Sequence, residues 1–79
     1  MASKNLAEDP WERLANAIVL KAVDDYRAAL RKLKRNPRSE SAKYDVRELE
    51  RFFRSGWYQK LTTVDGVFLI RRIREEIGL

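Results

Sequence analysis

Residues 10–35 read PWERLANAIVLKAVDDYRAALRKLKR. Apolar side chains recur along this stretch at Trp11, Leu14, Ala15, Ile18, Ala22, Tyr26, Ala29, Leu30 and Leu33. Steps of three and four keep side chains on one face of a 3.6-residue turn, so the spacing predicts one unbroken helix. Val19 and Val23 form a second row that widens the apolar stripe, which predicts packing against more than one neighbour. At 1.5 Å per residue the helix would be roughly 38 Å long. Too few residues follow Asn36 to build another helix of that length, so the rest of the chain must fold back along this one. The predicted class is all-α: a small three-helix bundle with a long first helix and one short helical turn between the second and last helices.

The ends of the first helix carry their own signals. Asp9 can accept bonds from unsatisfied N–H groups of the first turn, Pro10 needs no N–H there, and Glu12 can close a capping box. Glu8, Asp9 and Glu12 suit the positive end of the helix dipole. At the other end Arg27, Arg31, Lys32, Lys34, Arg35 and Arg38 come without an acid between Tyr26 and Ser39. Cations suit a helix C-terminus. Asn36-Pro37 then stops the helix, since proline disfavours helical geometry in the residue before it.

Outward from there, Ser39 or Ser41 is placed to cap a second helix from about Ser41 to Arg54. Its inward positions are Ala42, Val46, Leu49 and Phe53, with Phe52 beside them. The opposite face holds Lys43, Asp45, Arg47, Glu48, Glu50 and Arg51, a solvated face of mixed sign with intrahelical pairs such as Arg47 with Glu50. Ser55-Gly56 interrupts the pattern, and Ser55 is placed to cap a turn over Trp57–Leu61. Thr62-Thr63-Val64-Asp65 has the form in which Thr62 caps and Asp65 reaches back, predicting a last helix from Thr63 to about Ile77. Val64, Leu69, Ile70, Ile73 and Ile77 are expected inward, whereas Val67 and Phe68 fit either face. Gly66, in the first turn of that helix, would permit a close helix–helix approach, and Gly78 is a suitable stop. Ile18, Leu49, Phe53, Trp57 and Ile73 are the expected core anchors, with Trp11 covering one end. Met1–Glu8 reads as a loose leader, and residues 9–79 as one domain.

Composition bounds the function. The 79 residues are 44% apolar and 37% charged, within the range of a globular helical domain and too apolar for a disordered chain. The net charge of +5 favours anionic partners. With no Cys or His, thiolate chemistry, disulfides and imidazole metal sites are excluded. General-base and nucleophile roles would fall to carboxylates, Ser, Thr, Lys or Tyr. Asp24-Asp25 and Glu75-Glu76 are adjacent acids, but neighbours on a helix point about 100° apart and form neither a dyad nor a metal clamp. Asp65-Gly66 lacks the further oxygens of a calcium loop and reads as helix N-terminus chemistry. No catalytic activity, metal or cofactor is expected. No apolar run approaches a membrane span and the N-terminus lacks a signal-peptide core, which predicts a cytoplasmic protein without a membrane partner.

The pieces ANAIVLKAVDDYRAAL and FFRSGWYQKLTTVDGVFLIRRIREE resemble a family of short proteins of phages, prophages and other mobile elements of Gram-positive bacteria. The likeness covers about residues 11–76, and FFRSGWYQKLTTVDG is its most distinctive part. It implies an accessory role in a mobile element and brings no catalytic residue or cofactor.

Two function classes follow. In the first, the domain is a protein-interaction module that docks on another protein or on itself, with Val19, Val23, Tyr58, Val67 and Phe68 as candidate interface residues. In the second, it binds nucleic acid through backbone phosphates, with Arg31, Lys32, Lys34, Arg35, Arg38, Arg71, Arg72 and Arg74 as candidate contacts. The break at 55–62 is longer than a helix-turn-helix turn, and the last helix opens on apolar residues, so base reading is not expected. The basic end of the long helix is expected to project from the bundle.

Overall fold

Asp9 opens the first helix. Its carboxylate accepts the Trp11 N–H at 2.8 Å, and α1 runs from Pro10 to Arg35. The structure, a computed structural model, describes residues 9–79; the leader, Met1–Glu8, lies outside the described residues. Three further helices follow: α2 (Glu40–Phe53), α3 (Gly56–Leu61) and α4 (Gly66–Ile77). Among the described residues there is no strand, so the all-α bundle with a long first helix is the fold.

Each start has a side-chain cap. Ser39 accepts the Ala42 N–H, Ser55 accepts the Tyr58 N–H, and Asp65 accepts from both Val67 and Phe68. The last cap moves the start of α4 three residues beyond the expected Thr63. Thr62 caps only a local turn, its hydroxyl accepting from Val64 N–H at 3.2 Å. Asp65 wins because it reaches two N–H groups of the helix proper. Gly78 closes α4 in the left-handed conformation at φ 93°, where glycine carries no steric cost.

α2 leaves the tight turn at 36–39 and runs back along α1. Lys32 of α1 meets Ser41 near the start of α2, and Tyr26 meets Glu50 and Phe53 near its end. α4 then runs parallel to α1, since Arg27 pairs with Glu76 and Lys34 Nζ donates to the Ile77 carbonyl at 2.7 Å. The core lies among these three helices and holds Ala22, Val23, Tyr26, Leu30, Val46, Phe53, Tyr58, Ile70, Ile73 and Ile77.

Chain direction settles which end of α1 stands alone. α2 and α4 are 14 and 12 residues long against 26 for α1, and both flank its C-terminal half. The overhang is therefore the N-terminal half, covered by α3, and the basic end expected to project is flanked on two sides. The same geometry corrects several inward assignments. Trp11, Leu14, Trp57 and Val64 are exposed and Ile18 is only half-buried, whereas Leu49, half-buried, does pack against the core.

Candidate functional site

Two surfaces of opposite chemistry occupy the two ends of α1. At the N-terminal end the Trp11 and Trp57 rings meet edge to face, with centroids 6.2 Å apart. Each ring remains 45–50% exposed, and Leu14, one turn beyond Trp11 on the same side, is 54% exposed. Ala15 beneath them is buried, and Ile18 continues the stripe half-buried. α3 is only six residues long and ends at Leu61, with Thr62 as its C-cap.

Of the interface residues inferred from sequence, Val67 and Phe68 are exposed on the outer side of α4. Three others are corrected. Tyr58 is fully buried, stacked edge to face on Phe52 and Phe53 with centroids 5.6 Å away in each case. It fits there because Gly66 carries no side chain: a Cβ at that position would lie 3.2 Å from Tyr58 Cε2. Val23 is buried in the core, and Val19 is half-buried against it. The exposed tryptophans escape sequence reading because their helical phase is that of a core residue. What keeps them out of the core is that only the six-residue α3 lies beside that part of α1.

At the opposite end the structure joins cations that are far apart in sequence. Arg31 of α1 and Arg72 of α4 both lie close enough to Glu76 to help hold its carboxyl below the usual range, after the larger effect of the Arg27 hydrogen bond. Lys34 and Arg35 line the same shallow surface with Arg31, Glu76 and Ile77. Arg38 stands in the turn, its own N–H bonded to the Asn36 side chain at 3.3 Å. Among the described residues Arg31, Arg35, Arg38 and Arg71 make no ion pair, and Arg72 has only a long contact to Glu75 at 3.8 Å.

Arg74 belongs elsewhere. It points inward and gives Glu50 two bonds at 2.8 and 2.9 Å, while Tyr26 donates its hydroxyl to the same Glu50 oxygen. Burial opposes the Arg74 charge, but the Glu50 carboxylate and the Tyr26 oxygen outweigh it and hold the guanidinium pKa up. Glu50, expected on the solvated face in a pair with Arg47, is instead the junction of α1, α2 and α4. Its carboxylate is only 15% exposed and also has a contact to Arg54 at 3.8 Å. Arg74 is thus a structural ion, not a phosphate contact.

A cleft of about 620 Å³ opens between the end of α2 and the start of α4, lined by Arg54, Tyr58, Gln59, Thr62, Asp65 and Val67 among others. The Tyr58 hydroxyl has no hydrogen-bond partner among the described residues. Asp24 and Asp25 engage different cations, Arg27 and Lys21, as expected of adjacent helical acids. Among the described residues no acidic, His or Cys cluster could hold a metal, and no helix is long and apolar enough to cross a membrane. Comparison with protein-family models, with curated proteins and with solved structures finds no match.

Proposed function

We propose that this chain is a small non-enzymatic protein-interaction module, cytoplasmic, acting as an accessory protein of a mobile element. Its docking surface is the Trp11–Leu14–Trp57 end. The supporting observation is the pair of half-exposed tryptophans beside an exposed leucine on one flank of α1. Indole rings left in solvent hold apolar area that a partner can remove from water, and tryptophan is enriched among residues that dominate interface energies. The rings brace each other edge to face, so little side-chain freedom would be lost on docking. Val67 and Phe68 offer a second, smaller apolar strip.

A second copy is the first partner to test, because isologous pairing of one apolar patch is the commonest oligomer geometry. Sedimentation velocity across a range of protein concentrations measures it. Leu14→Ser and Trp57→Ser together should abolish any concentration-dependent dimer while leaving the helical spectrum intact. A monomer at every concentration shifts the reading to a different protein as partner. Complexes that survive both substitutions contradict the assigned surface.

A further inference from the structure

We infer that the basic end of the bundle is a docking surface for the phosphate backbone of duplex nucleic acid, independent of the apolar end. Three observations carry it. First, the fold gathers Arg31 and Arg35 of α1 on one surface around Glu76 of α4, with Arg72 of α4 close to the same carboxylate and Arg38 in the turn that follows α1. Secondly, Arg31, Arg35 and Arg38 are exposed and make no ion pair among the described residues, and Lys32 contacts only the neutral Ser41 hydroxyl. Thirdly, the cations that serve the fold are different ones. Arg27 is taken by Glu76, Arg74 by Glu50, and Lys34 by the Ile77 carbonyl. Helix-dipole compensation accounts for Lys32, Lys34 and Arg35 in the last turn of α1 but not for Arg31 or Arg38, which lie before and beyond it.

Arginine forks match phosphate oxygens, and side chains at i and i+4, such as Arg31 and Arg35, lie on one helix face. Both tryptophans sit at the far end of α1, so this end lacks the indole anchors of a helix that lies in a lipid interface. No groove-reading helix backs the cations, so binding is to backbone and indifferent to sequence.

The test is fluorescence anisotropy of the full chain with a labelled mixed-sequence DNA duplex. Four cations, Arg31, Lys32, Arg35 and Arg38, predict log affinity falling against log salt with a slope of about −3.6, or about 150-fold weaker binding for a fourfold rise in salt. Arg31→Gln, Arg35→Gln and Arg38→Gln combined should cut the slope to about −0.9 with an unchanged melting temperature. An equal charge loss elsewhere, Arg47→Gln, Arg51→Gln and Lys60→Gln, should leave the slope nearly intact, as should Trp11→Ala, which separates this surface from the apolar end. Absence of binding at low salt, equal effects of the two triple variants, or binding to anionic vesicles but not to DNA would each overturn the inference.

Discussion

Gly66 lies directly against the backbone of Phe53: a Cβ placed on Gly66 would fall inside the van der Waals sphere of the Phe53 carbonyl oxygen. This contact sets how closely the start of α4 approaches the end of α2, and Tyr58 seals its side. Glycine is otherwise a poor helix residue, by about 1 kcal/mol against alanine. Gly66→Ala should therefore destabilise the domain despite its better propensity, by ~1–3 kcal/mol as for an overpacked core. Gly56, also at a first helical position, has open space where its Cβ would be. Gly56→Ala should be neutral or stabilising by up to about 1 kcal/mol. Thermal melts of the two variants should move in opposite directions; a shared direction would refute the close contact.

The two buried phenols predict opposite responses to loss of a hydroxyl. Tyr26 donates to the carboxylate of Glu50, so Tyr26→Phe removes a bond to a charged group and should cost ~1.5–3 kcal/mol. Tyr58 buries a hydroxyl without a partner among the described residues. Tyr58→Phe should be neutral or raise stability by about 1 kcal/mol, the desolvation cost no longer incurred. Urea titration of both variants checks the pair, and a large loss in Tyr58→Phe would reveal a bond that the fold depends on.

Stability should decline at alkaline pH. Burial holds both the Tyr26 and Tyr58 phenols above their usual range, with Glu50 adding to the effect at Tyr26 and Asp65 at Tyr58. In the unfolded chain both release protons at about pH 10. A folded-state pKa above the unfolded value stabilises fully below pH ~10 and is lost as pH rises beyond it. Melting temperature should fall from about pH 10 upward, and the Tyr26→Phe, Tyr58→Phe double variant should flatten that fall. An equally steep fall in the double variant would assign the effect to other groups.

Much of the fold is legible in the sequence. The bounds of α1, the caps at Asp9 and Ser55, and Phe53 and Ile73 as core follow from local chemistry, because periodicity and capping act within one or two turns. For α2 the sequence leaves Ser39 and Ser41 both open, and Ser39 is the cap. What escapes depends on neighbours far away in sequence. Leu14 and Trp57 have the phase of core residues, but only the short α3 reaches that part of α1. Glu50 and Arg74 read as ordinary surface charges until the packing of α2 against α4 turns them toward each other. Tyr58 reads as ambiguous between the aromatic joint of the second and last helices and an interface, and the space that buries it is supplied by Gly66. The basic run of α1 is visible, but its union with Arg72 requires the parallel course of α4.

A core phenylalanine and a surface tryptophan should also separate energetically. Phe53 is fully buried against Tyr26, Phe52 and Tyr58, so Phe53→Ala should cost ~3–5 kcal/mol and unfold much of so small a domain. Trp57 already has half of its ring area in water, so Trp57→Ala should cost less than Phe53→Ala by at least ~1 kcal/mol. Denaturant midpoints that place Trp57→Ala at or below Phe53→Ala would contradict the exposed placement of the indole.

The most direct test of the proposed docking surface is site-specific photo-crosslinking in the native host. A benzophenone side chain is placed at Leu14, and in a second variant at Tyr44 on the outer face of α2, which is equally exposed at 56%. The expected result is a discrete crosslinked species from Leu14, either twice the 9.3 kDa monomer mass or the mass of one partner added to it, lost on Trp57→Ser and absent from Tyr44. No discrete species from Leu14, or the same species from both positions, would contradict the assignment.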